Sequence, residues 1–167
     1  MIEGHGDDLY RYPNIRANFS SNVNPAGPPS ELMTHLEERL SRLACYPEPL
    51  AADLARRIEQ MAGSDRGTVL MTAGAVEAFY LLARYMEGRR SLIYTPSFSE
   101  YADACRLAAH EVVFRDHWTF EEDHLAGMDM VWICNPNNPD GRLYGPETLC
   151  HRLEEYPQTL FVVDAMT

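Results

Sequence analysis

The sequence predicts an α/β protein: a three-layer α/β/α arrangement around a mostly parallel sheet, preceded by an N-terminal arm and helices. Three observations lead there. Short apolar runs recur along the later part of the chain. Segments with helical spacing separate them. Polar turns rich in Gly, Pro and Asn follow the apolar runs. Strands buried on both faces read as continuous apolar runs, and parallel strands need crossovers, usually helical.

The elements follow in order. Residues 1–29 show little periodicity and many breakers, among them Gly4, Gly6, Pro13, Pro25, Gly27, Pro28 and Pro29. This predicts an extended arm. Ser30 is expected to cap a helix with Glu31 in its first turn. Leu32, Met33, Leu36, Leu40 and Leu43 then form one apolar stripe. Tyr46-Pro47-Glu48-Pro49 breaks it. A second helix carries Leu50, Leu54, Ile58 and Met61, with Gly63 just past its end. Residues 30–63 are thus a helical segment, and 64–167 part of a larger α/β domain.

In that domain Thr68–Met71, Ser91–Tyr94, Glu111–Phe114, Met128–Cys134 and Leu160–Val163 are expected strands. Ala75–Met86 and Phe98–Ala109 are expected helices, and Pro146 opens another at a favoured first-turn position.

Composition bounds the function. Hydrophobic residues make up 46% of the 167 and aromatics 10%, which is ordinary for a globular chain. A net charge of −11 argues against a nucleic-acid partner, which needs a basic face. Cys45, Cys105, Cys134 and Cys150 form no metal-ligand spacing and read as free thiols of a reducing compartment. No apolar stretch reaches the length of a membrane span, and the N-terminus lacks a signal peptide's apolar region. A cytoplasmic protein is expected. All 14 basic residues are Arg, so chemistry needing a lysine amine cannot occur on this chain alone.

Ligands of open α/β sheets bind beyond the carboxyl ends of the strands. Four polar turns are expected there. After Met71, Gly74 allows close backbone approach, and the N–H groups of Ala75 and Val76 open a helix. That turn is either a plain connection or a phosphate cradle. After Tyr94, Phe98 is either a core ring or one that stacks on a flat heterocycle. After Cys134, two prolines and a glycine fix the turn Asn135–Gly141. They would hold the Asn138 amide where it could bond a phenolate-like oxygen. At the end of the last strand, the Asp164 carboxylate needs a partner: a helix cap, an ion pair, or a ring nitrogen.

Together these residues resemble fold-type I pyridoxal-phosphate (PLP) enzymes, the aspartate-aminotransferase family. The turn Asn138-Pro139-Asp140-Gly141 is similar to the family's NNPTG, with Asp where Thr is usual. The resemblance implies the large domain of such an enzyme, incomplete here, with PLP as cofactor. It assigns Asn138 to the cofactor's 3′ oxygen, Asp164 to its ring nitrogen, Phe98 to stacking on the ring, and Ala75 and Val76 to its phosphate.

His5-Gly6 and the stretch Asn18–Gly27 resemble the opening of threonine-phosphate decarboxylases, a cobalamin-biosynthesis branch similar to histidinol-phosphate aminotransferases. This implies His5 on the substrate phosphate and Asn22 near the reacting carbon. Tyr46 would reach the PLP phosphate of a neighbouring subunit, which implies a homodimer. The implied substrate is a small phosphorylated amino acid. The implied activity is decarboxylation or transamination. The Schiff-base lysine of the family has no counterpart here, so no catalytic residue is assigned. The chain reads as the N-terminal part of a longer enzyme. An inactive truncated product acting only through protein interaction is the alternative.

Overall fold

Four strands form one all-parallel sheet: β1 (Arg90–Thr95), β2 (Glu111–Asp116), β3 (Met130–Cys134) and β4 (Leu160–Asp164), in spatial order β2-β1-β3-β4. This computed structural model describes residues 10, 12, 14–18, 24 and 26–165. It divides into two compact units, residues 1–71 and 72–167.

The sheet belongs to the second unit. β1 and β3 are central, and their apolar runs are buried on both faces. Side-chain alternation sorts them into two cores. Ile93, Met130, Trp132, Cys134 and Val162 meet Phe79 and Ala83 of α3 (Ala75–Tyr85), and Tyr101, Ala104 and Cys105 of α4 (Glu100–Leu107). Leu92, Tyr94, Val131 and Ile133 face the other way. They meet Phe120, Leu125 and Tyr144, with Leu149 of α5 (Pro146–Glu155). Helices therefore cover both faces, as expected, and Pro146 occupies the first turn of α5.

Within the first core Phe79 sets its ring edge-on to Tyr101, 5.0 Å between centroids, and to Trp132 at 5.9 Å. Tyr101 stacks on Trp132 at 5.3 Å. Ser91 and His110 add a buried polar lock. His110 Nε2 lies 2.9 Å from the Ala83 carbonyl oxygen, which can only accept, so Nε2 carries the proton. His110 Nδ1 then accepts from the Ser91 hydroxyl at 2.6 Å.

The first unit carries α1 (Ser30–Glu37), a 3₁₀ turn (Leu40–Ala44) and α2 (Ala52–Ala62), closed by left-handed Gly63. Two expectations are corrected here. Ser30 lies inside α1 rather than capping it; Pro29 holds the cap position, and the Ser30 hydroxyl turns to Glu31. The apolar stripe of α1 is exposed along its whole length, and its continuation through Leu40 and Leu43 is 3₁₀ rather than α.

Thr68–Met71 is not a strand. A strand needs a neighbour for its N–H groups. Here Glu59 Oε1 takes those of Gly67 (2.7 Å), Thr68 (3.1 Å) and Val69 (3.3 Å). Glu59, on the second helix, is consequently buried, while Leu54, Ile58 and Met61 of that helix stay exposed.

No helix among the described residues is long and apolar enough to cross a membrane.

Candidate functional site

The carboxyl ends of the four strands are laced to one another. β4 ends on Asp164, whose side chain falls on the same face as Val162 and so points toward α4. There the Tyr101 hydroxyl donates to Asp164 Oδ2 at 2.5 Å. Burial, with the Asp164 hydrogen bond second, pushes the Tyr101 hydroxyl well above its ordinary value, so it remains a donor. Asp164 Oδ1 makes no hydrogen bond among the described residues. One oxygen of the carboxylate is thus fixed and the other is open.

The turn after β3 consumes two of its three asparagines in its own architecture. The Asn135 side chain accepts from Tyr144 N at 2.7 Å and donates to Tyr144 O at 3.0 Å. Its backbone N–H reaches Asp164 O at 2.9 Å, tying this turn to β4. The Asn137 amide donates to Pro96 O at 3.0 Å, tying it to the turn after β1. Asn138 is different. Its backbone N–H donates to Cys134 Sγ at 3.3 Å, and its side-chain amide makes no hydrogen bond among the described residues. The Asn135-Pro136 and Asn138-Pro139 peptide bonds are cis, as is Thr95-Pro96.

Phe98 lies just before α4, which begins at Glu100 rather than at Phe98 as expected. Its ring is half-buried, edge-on to Tyr101 at 5.8 Å and to Phe79 at 6.3 Å. The ring therefore borders the core and the Asp164–Tyr101 pair.

Gly74 precedes α3 with φ +89°, a conformation that favours glycine. Ala75 and Val76 form the exposed first turn behind it. Phe79, one turn further on, packs against Phe98 and Tyr101, which brings this helix start to the same end of the sheet. The turn precedes the sheet without following a strand, so three of the four expected turns sit at strand ends. Glu77 accepts from Ala73 N at 2.5 Å and closes the turn from behind.

Tyr46 belongs to the first unit and is fully exposed there. His5 and Asn22 lie outside the described residues.

The sequence reading missed Tyr101. Its signal was available: it follows Phe98 by three residues on a helical pattern and so shares its face. It also missed His117, Asn137 and the structural use of Asp140, whose contacts join residues distant in the chain.

The chain is similar to enzymes of one family. L-threonine-O-3-phosphate decarboxylase from Porphyromonas gingivalis is 41% identical, with a TM-score of 0.78 over 81% of this chain and 44% of that one. The histidinol-phosphate aminotransferase of Symbiobacterium thermophilum is 33% identical over 87% of this chain and 43% of its own length. The threonine-phosphate decarboxylase of Salmonella typhimurium is 27% identical over 78% of this chain and 38% of its own. The chain spans less than half the length of each of these relatives. The family model for aminotransferase class I and II matches residues 15–166, so the chain belongs to that family, whose enzymes are PLP-dependent.

Proposed function

We propose that this chain builds part of a PLP site, and that the enzyme it serves decarboxylates L-threonine O-3-phosphate to aminopropanol phosphate. One observation carries the cofactor reading: a free asparagine amide and a half-engaged carboxylate stand at the same end of one sheet.

The residues fit the cofactor's chemistry. Asn138 offers an amide donor for the 3′ oxygen. Asp164 Oδ1 offers an acceptor for a protonated ring nitrogen. Phe98 offers a ring for stacking, and Ala75 and Val76 offer helix-start N–H groups for phosphate. When bound, PLP supplies an electron sink for the substrate's α-carbon. Asp164 holds the proton on the ring nitrogen, and Tyr101 keeps Asp164 oriented. His5 and Asn22 are proposed to contact the substrate phosphate and the region of the reacting carbon. Tyr46 is proposed to serve the phosphate site of a second copy, which makes the enzyme a homodimer, and a cytoplasmic location goes with this reading. This chain has no lysine and so supplies no amine for covalent attachment.

The identity to the Porphyromonas gingivalis decarboxylase supports the choice of decarboxylation. The similarity to the Symbiobacterium thermophilum enzyme supports a second reading, histidinol-phosphate transamination. Full-length protein is to be incubated with PLP and each substrate. Release of CO2 from L-threonine O-3-phosphate is the expected result. Glutamate consumption with the histidinol-phosphate substrates, without CO2 release, would replace it with the second reading.

A further inference from the structure

Beside Asn138 lies a polar cluster around a buried histidine and asparagine that none of the roles above uses. His117 follows β2, is only 2% exposed, and is roofed by the Trp118 ring at 4.8 Å. Its Nδ1 lies 3.1 Å from Asn137 Nδ2. That nitrogen is identified by its other neighbours, Pro96 O at 3.0 Å and Asp140 Oδ1 at 2.8 Å, both of which only accept. An amide nitrogen cannot accept, so His117 Nδ1 carries no proton. The proton therefore sits on Nε2.

His117 Nε2 has no well-directed hydrogen bond among the described residues. Asp140 Oδ2 lies 3.1 Å away but off the N–H direction, so the contact is electrostatic. A buried donor left without an acceptor is costly, and Asp140 is the carboxylate within reach. Asp140 is already committed to the turn. Its Oδ1 accepts from Asn137 and, at 3.2 Å, from Arg142 N. The Asn137 hydrogen bond holds its carboxyl below the ordinary range, which keeps it an acceptor. The Asn137–Gly141 hydrogen bond, N–H of Gly141 to Asn137 O at 2.7 Å, closes the loop in which Asn138 sits.

We propose that His117 and Asp140 are positioning residues that clamp the Asn137–Gly141 turn and so aim the Asn138 amide at its ligand. The inference rests on the reading of Asn138 as a cofactor contact. The clamp joins the end of β2 to the turn after β3 across the intervening β1. It acts on Asn138 through Asn137 and Asp140 and touches no ligand itself.

The test is a double-mutant cycle on PLP affinity in the full-length protein. Asn138→Ala is expected to weaken PLP binding about tenfold, the loss of one hydrogen bond. Asp140→Asn, at an exposed site where folding is not at risk, is expected to weaken it about fivefold. His117→Gln, which retains a donor near Nε2, is expected to lose less than His117→Ala. In an Asn138→Ala background all three changes are expected to have no further effect. The ¹⁵N resonances of His117 should report a protonated Nε2 and a bare Nδ1, and Asp140→Asn should shift the Nε2 signal.

Additive losses in the cycle, or a protonated Nδ1, would overturn the clamp while leaving the cofactor reading in place. Unchanged PLP affinity in Asn138→Ala, or no PLP binding by the protein, would overturn the cofactor reading and the clamp with it.

Discussion

Asp164 ends its strand with one oxygen held by Tyr101 and the other open, and this asymmetry gives the carboxylate a direction. Replacing Asp164 by Ala removes the charge that would keep a ring nitrogen protonated. Turnover of the full-length enzyme is expected to fall on the order of a hundredfold or more, with an unchanged far-UV circular dichroism spectrum. Undiminished turnover would mean that the cofactor is placed wrongly. Tyr101→Phe keeps the aromatic stack on Trp132 but frees Asp164 Oδ2. It should cost about 1 kcal/mol in unfolding free energy and lower turnover by less than Asp164→Ala does. Two buried tyrosines also set a pH limit. Burial raises the hydroxyls of Tyr94 and Tyr101 above their ordinary 10.0, helped by Asp123 and Asp164 respectively. Their contribution is complete below pH 10 and is lost as pH rises from there toward the folded values. Thermal midpoints should therefore fall as pH is raised above about 10, and Tyr→Phe at either site should flatten that fall.

Among the elements, the Glu59 side chain ties α2 to the segment after it. Glu59 satisfies three consecutive backbone N–H groups of Gly67, Thr68 and Val69. Glu59→Ala leaves these donors to water or to nothing. A loss of about 3 kcal/mol is expected, seen as faster amide exchange over residues 67–69 with little change in the sheet. The turn after β3 obeys the same logic. Asn135 anchors it to Tyr144 through both ends of its amide, and Asn137 anchors it to Pro96. Asn138 is left over, and that surplus supports its proposed role as a ligand contact.

Across the second unit, two apolar cores meet at a sheet whose central strands are buried on both sides. Trp132 is central to one of them, with Tyr101 stacked on it and Phe79 edge-on. Trp132→Ala is expected to cost about 3–5 kcal/mol, measured by denaturant unfolding. The change should also loosen Tyr101 and, through it, Asp164. Packing and site are therefore coupled in the same cluster.

Apolar run length and helical spacing were enough to predict β1 to β4, α3 and α4, because burial on both faces leaves a continuous signature, and Pro146 marked the start of α5. The Pro and Gly content of the Asn135–Gly141 turn pointed to rigidity and to Asn138, and the end of β4 pointed to Asp164. Local pattern could not decide which polar groups would be spent on the fold. Thr68–Met71 looks like a strand until Glu59, nine residues earlier, takes its N–H groups. Asn135, Asn137 and Asn138 look alike until Tyr144, Pro96 and Asp140 engage two of them. Tyr101 looks like a helix-face aromatic until β4 delivers Asp164, 63 residues later, to its hydroxyl. A hydrogen bond needs both partners at about 3 Å, and partners far apart in the chain are brought there only by folding.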